Sequence, residues 1–134
     1  MDEVLQFLNE NQVVYLSTVG LDGKPKVRPF QFMLERAGKL YFCTNNQKAV
    51  YKELQKAPFV EACISTPKMA WIRLSGKAVF SKDPGIKKDI LEGHAFLKQI
   101  YKSADNPVFE VFYLENAEAT IADFSGNPPK KFTL

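Results

Sequence analysis

Leu40–Leu54 reads LYFCTNNQKAVYKEL, and its character changes halfway along. Leu40, Tyr41, Phe42 and Cys43 are apolar and partly aromatic, the composition of a strand. Further on, Val50, Leu54 and Ala57 fall at the i, i+4, i+7 spacing of one helix face. Between the two lies Thr44-Asn45-Asn46-Gln47-Lys48. Asn45 or Asn46 is expected to cap the helix, because a short side-chain acceptor bonds an orphan amide of the first turn. The helix then opens with free N–H groups, the Thr44 hydroxyl and the Lys48 ammonium, a combination that suits an anion and above all a phosphate. An ordinary cap and a solvated lysine need the same letters, so the surrounding elements decide between the two.

Upstream, Gln12–Gly20 (QVVYLSTVG) is β-branched and aromatic and reads as a strand. Leu21-Asp22-Gly23-Lys24 is a hairpin turn, Asp-Gly being its strongest short signal. Pro25 to Glu35 is the returning strand. Pro29 within it lacks a ladder donor, which places the strand at an edge or on a bulge. Downstream, Pro58 ends the helix, Phe59 to Ser65 is a strand, and Ala70 to Ser81 alternates cleanly. Ile72, Leu74, Gly76, Ala78 and Phe80 share one face of that strand; Trp71, Arg73, Ser75 and Lys77 share the other. Asp83-Pro84 starts a helical region that runs to about Tyr101 with a break at Gly93. Val108 to Leu114 and Ala117 to Phe124 read as two more strands joined by a tight turn at Glu115-Asn116. At the N-terminus Asp2 caps a short helix with Val4, Leu5, Phe7 and Leu8 on its inner side. The tail, Ser125 to Leu134, is expected to be extended and mobile. Six or seven strands at hairpin spacing, with a few helices between them, predict a mainly β fold: a closed antiparallel barrel decorated by helices, with a two-layer α+β fold as the alternative.

The chain has 134 residues, the length of one domain spanning 1–134, enough to bury a core without staples. A net charge of +3 from scattered Lys and Arg argues against nucleic acid as partner and leaves a phosphate-bearing small molecule sufficient. Two cysteines, Cys43 and Cys63, are too few for a disulfide framework, and a single histidine, His94, forms no zinc cluster, so no metal is expected. No leader and no membrane-spanning apolar run stand out, which makes a cytoplasmic protein without a membrane partner the default expectation.

The order of the parts is itself informative. A strand, an Asp-Gly turn, a strand carrying Val27-Arg28-Pro29-Phe30, and a strand that runs through Thr44-Asn45-x-x-Lys48 into a helix together resemble the FMN-binding split-barrel family related to pyridoxamine 5′-phosphate oxidase. STVGLDGKPKVRPF is similar to the family's first hairpin, LYFCTNNQKAVYKELQKAP to its phosphate-binding strand and helix, and WIRLSGKAVF to a later barrel strand. The resemblance implies a six-stranded antiparallel split barrel of Greek-key type. It also implies a homodimer with FMN at the interface and a flavin-dependent oxidoreductase acting on a small-molecule substrate. Carried over by position, it puts Arg28 on the phosphate or ribityl chain, with Pro29, Phe30 and Gln31 along the flavin ring. Cys43, Thr44 and Asn45 line the flavin and its phosphate, Gln47 and Lys48 complete the phosphate site from the first helical turn, and Trp71 reaches the flavin of the neighbouring subunit.

The departures are specific. Met33, five residues after Arg28, stands where the oxidase has a lysine, and Gln47 stands where it has an arginine. The oxidase's arginine-rich C-terminal signature is replaced by NPPKKFTL. The likeness is therefore closer to short bacterial members described as general-stress or nitroimidazole-resistance-type proteins. No side chain is nominated as catalytic acid or base; His94 and Cys43 lack a partner in sequence that would make them one. A non-catalytic flavin or haem carrier, or a redox sensor, is the alternative function.

Overall fold

The structure, a computed structural model, describes all residues from Met1 to Leu134. Twelve elements follow in order: α1 (Asp2–Glu10), β1 (Val13–Val19), β2 (Pro25–Gln31), β3 (Leu34–Arg36), β4 (Lys39–Asn45), α2 (Ala49–Lys56), β5 (Phe59–Ser65), β6 (Trp71–Ser81), α3 (Pro84–Glu92), α4 (Ala95–Tyr101), β7 (Phe109–Ala122) and β8 (Lys130–Thr133). The strands form one sheet in the order β2-β1-β5-β6-β7-β4-β3, with β8 added to β7, and every pair is antiparallel. No helix is long and apolar enough to cross a membrane.

The sheet coils into a barrel that closes where β2, one end of that order, comes against β4, the strand next to the other end, without a ladder. The chain crosses that seam at Phe32 and Met33. Phe32 N–H donates to Gln12 O at 2.8 Å on one side, and Met33 N–H donates to Tyr41 O at 3.0 Å on the other. Phe32 and Phe42 close the seam from within, ring centres 6.0 Å apart. The expected second strand from Pro25 to Glu35 is thus two strands, β2 and β3, because this crossing turns the chain between them. β2 pairs with β1 alone, the edge position that Pro29 requires.

Alternation assigns the two faces. Val14, Leu16, Phe42, Ala62, Leu74, Phe112 and Leu114 fill the barrel, and α1 and α2 close it with Val4, Leu8, Val50 and Leu54. β4 and β7 are buried on both sides. Their outward residues Tyr41, Phe109 and Val111 form a second core with Ile86, Ile90, Leu91, Leu97 and Tyr101 of α3 and α4. Asp83 caps α3 by accepting from Gly85 and Ile86 N–H, and Gly93 ends it, so the helical region does break where expected.

Further expectations are corrected, the first at the N-terminus: Asp2 lies inside α1, Met1 is the N-cap residue, and no side chain caps the helix. Glu115-Asn116 is no turn: β7 runs unbroken along β6. Ser75 pairs with Glu118 and Lys77 with Glu115, so one extra residue bulges out of β7, with Asn116 at φ 52°. Opposite the bulge, Gly76 lies so close that a Cβ there would stand 3.1 Å from Leu114 Cβ and 3.2 Å from Glu115 O. The tail is not loose, since Lys130–Thr133 pair with Glu118–Ile121 as β8 and Phe132 packs on the core. Finally, α2 starts at Ala49 with Lys48 as N-cap residue, and no asparagine side chain caps it.

Candidate functional site

Where the seam, the end of β4 and α4 meet, a cavity of about 240 Å³ opens. Its walls are Arg28, Pro29, Phe30 and Gln31 from β2, Met33 from the crossing, Cys43 and Thr44 from β4, Lys48 and Val50 from the start of α2, and Phe96, Leu97, Ile100 and Tyr101 from α4. Eight of these thirteen are apolar, so the cavity offers a greasy body with a polar corner.

The corner is built by the chain leaving β4. Asn45 Oδ1 accepts from Gln47 N–H at 3.0 Å and Asn45 O from Lys48 N–H at 3.2 Å, two nested turns that set the entry to α2. Asn46 is tied across the loop to Pro107 O and Glu110, and Gln47 Nε2 donates to Asn46 Oδ1. The asparagines therefore shape the loop instead of capping the helix. Asn45 and Gln47 lie outside the cavity wall, and Gln47 precedes the helix rather than sitting in its first turn. Thr44 points inward from β4 and is only 3% exposed; its Oγ1 is the one buried side-chain polar atom in the molecule without a hydrogen-bond partner. Lys48 Nζ makes no ion pair and no hydrogen bond. An orphan hydroxyl and an unpaired lysine thus line one cavity at the start of α2.

Arg28 also lines the cavity, but its guanidinium is engaged. Nη2 donates to Glu53 Oε1 and Nη1 to Thr18 Oγ1, each at 2.7 Å, while Thr18 Oγ1 donates to the same Glu53 oxygen at 2.7 Å. Asp22, in the hairpin turn, pairs with Lys26 and not with Arg28. Glu53 and Thr18 escape a reading of the sequence. The available signal is that Glu53 lies on the same side of α2 as Val50, Leu54 and Ala57, so a charge is turned toward the core.

The remaining polar groups are proton-tight. Burial pushes the Cys43 thiol up to about 12 against the pull of the Lys48 charge, so it is a wall and not a thiolate. Burial also raises Tyr101, with the Asn45 side chain pulling the other way, which leaves a protonated hydroxyl on the cavity wall. Phe30 meets Phe112 edge-on at 5.9 Å, and the Gln31 side chain donates to Gln12 Oε1 at 3.2 Å, leaving mainly its backbone for the cavity. Trp71 does not line the cavity; it packs against Phe124 with ring centres 5.1 Å apart. His94 is the N-cap residue of α4 without a side-chain cap; its ring Nδ1 lies 2.9 Å from Ile90 O of α3, and it too lies off the cavity wall. Phe96, Ile100 and Tyr101, which fall within the helical region expected from Asp83 to Tyr101 but were not expected at the site, form the outer wall.

Barrel, seam and corner define a split-barrel protein with a small-molecule cavity beside the seam. The family profile described as pyridoxamine 5′-phosphate oxidase matches residues 1–122, and the chain belongs to that family. No curated protein matches it in sequence. Among solved structures, a NimC/NimA family protein from Clostridium acetobutylicum is 37% identical with a TM-score of 0.90, over 100% of this chain and 92% of that one. A pyridoxamine 5′-phosphate oxidase-related, FMN-binding protein from Nostoc punctiforme shares the fold at 19% identity and TM-score 0.76, over 97% of this chain and 87% of that one. A heme-binding protein from Mycobacterium smegmatis shares it at 19% identity and TM-score 0.73, over 93% of this chain and 54% of that one.

Proposed function

We propose that the chain binds FMN in this cavity and serves as a flavin-dependent oxidoreductase for an unidentified small molecule. The observation that carries this reading is the orphan Thr44 hydroxyl beside the unpaired Lys48 at the start of α2. A buried polar atom without a partner costs about 1–3 kcal/mol, and a phosphate oxygen accepting from it removes that cost. Lys48 would meet the phosphate as a point charge, Arg28 would offer its spare N–H donors, and the apolar walls Phe30, Met33 and Ile100 suit a flat ring. Bound FMN supplies the redox chemistry; the protein orients it, excludes water and sets the field around it.

The same reading includes a homodimer in the cytoplasm. At 240 Å³ the cavity is below the ~300–1,000 Å³ usual for small-molecule sites, and a second copy supplies the missing wall. The outer face of β1, β2 and β5 carries Val13, Tyr15, Val27 and Phe59, each more than half exposed, a surface suited to that copy. Trp71 would then reach flavin only from the partner subunit.

Purified protein tests this directly. Expected are a yellow spectrum or FMN uptake, a rise in melting temperature with FMN, and oxidation of a reduced nicotinamide donor. Colourless protein that neither takes up FMN nor gains stability from it refutes the proposal. A second reading, a flavin or haem carrier without turnover, draws support from the cavity wall itself. Cys43 at about 12 and a raised Tyr101 offer no group that exchanges protons near neutral pH. Tight cofactor binding with no turnover across nicotinamide donors and acceptors is its signature.

A further inference from the structure

We propose that Glu53 sets how tightly this cavity grips a phosphate monoester, by cancelling the charge of Arg28 and leaving Lys48 as the one uncompensated cation on the wall. The proposal rests on the FMN reading above and assigns a role to a residue outside the cavity. Arg28 and Lys48 are the only cationic side chains lining the cavity. Glu53 stands behind the first of them, its side chain 7% exposed, and binds the guanidinium at 2.7 Å. Thr18 locks the pair by donating to Glu53 and accepting from Arg28, so the guanidinium cannot turn fully to a ligand without breaking two charge-assisted bonds. A dianionic phosphate entering the corner therefore meets a net charge of one, from Lys48, with the Thr44 hydroxyl and the helix amides as neutral donors. The site discriminates a phosphorylated from an unphosphorylated flavin only modestly, and the bound molecule exchanges with the free pool.

Orientation and charge are separable, because Glu53→Gln keeps an acceptor oxygen for both Arg28 and Thr18 and removes only the charge. If Glu53 merely orients Arg28, the substitution leaves phosphate binding unchanged. If it cancels Arg28, a full positive charge is released beside the corner, worth about tenfold in affinity under partly screened conditions.

The test is equilibrium titration of the full chain with FMN and with riboflavin at one ionic strength. The ratio of the two dissociation constants is the readout, since riboflavin shares the ring and lacks the phosphate. In Glu53→Gln, FMN binding is expected to tighten about tenfold while riboflavin binding stays the same. Riboflavin binding doubles as the check that this variant is folded, and a second measurement, the same pair of titrations in high salt, reads the charge directly: the FMN preference gained in Glu53→Gln is expected to fall back toward the parent's, because a released charge at a half-open site is screened. Lys48→Gln is expected to bring the two affinities together. An unchanged or weakened FMN preference in Glu53→Gln overturns the role given to Glu53, as does a gained preference that high salt leaves untouched. Failure of the parent to bind either flavin overturns the cofactor reading and this inference with it.

Discussion

Removing Arg28 should cost much more than removing Glu53, although the two form one pair. The asymmetry follows from where each end sits. The Arg28 side chain is 26% exposed and Glu53 only 7%. With Arg28→Met, the Glu53 carboxylate stays behind, held by the Thr18 hydroxyl alone and almost out of reach of water. Stranding a buried charge costs about 3–5 kcal/mol; the partial access at the arginine end lets water in and reduces that to about 2–3 kcal/mol. With Glu53→Met, Arg28 keeps Thr18 and can swing into the cavity and solvent, so the loss is about 1 kcal/mol, one ordinary hydrogen bond. The double variant replaces the pair by two apolar side chains of similar volume and should be within about 1 kcal/mol of the parent. The coupling between the sites is therefore about 3 kcal/mol, at the upper end of the range found for residues in direct contact. Urea unfolding at neutral pH, followed by far-ultraviolet circular dichroism, measures all four corners of this cycle. With a denaturant slope of about 2 kcal/mol per molar, the Arg28→Met midpoint falls by about 1–1.5 M and the double variant recovers most of it. Equal losses in the two single variants, or a double variant no more stable than Arg28→Met, would refute the picture of a buried carboxylate neutralised by a half-exposed arginine.

Thr44→Val separates stability from binding: filling the same volume without the orphan hydroxyl should leave the unliganded chain as stable or raise it by about 1 kcal/mol, while weakening FMN about tenfold in titration. The raised thiol of Cys43 gives a pH dependence. Its folded value of about 12 lies above the ordinary 9.0, so its contribution is fully present below pH 9 and is lost as pH rises toward 12. Unfolding midpoints should therefore fall above pH 9, less steeply in Cys43→Ala. At neutral pH iodoacetamide should label the exposed Cys63 and spare Cys43, as peptide mass analysis would report. Gly76→Ala should destabilise by about 1–2 kcal/mol in thermal or urea unfolding, because Leu114 is core and Glu115 belongs to the bulge, so neither can step back from the new methyl.

Local chemistry was enough for much of this. The switch from LYFC to a helical repeat after Lys48, the Asp-Gly turn, the edge position imposed by Pro29 and the break at Gly93 each follow from one residue's backbone preferences or a short apolar period. Thr44 and Lys48 could be named from the loop that carries β4 into α2, whereas Arg28, Phe30 and Cys43 came through the family resemblance of the two strands that hold them. What the tertiary structure alone decided depends on partners far along the chain. Glu115-Asn116 has the letters of a turn, but β6 runs beside it and offers hydrogen bonds on both sides, so the extra residue bulges and the strand continues. The tail becomes a strand because β7 has a free edge beyond the end of β4. Asn45 turns the loop rather than capping α2, because Asn46 is anchored to Pro107 and Glu110 and so sets where the helix starts. The direction of the Arg28 guanidinium depends on Glu53, separated from it by 25 residues and brought beside it only when α2 closes the barrel. A charge's partner is set by distance in space, and in a barrel that distance is fixed by which strands close the sheet.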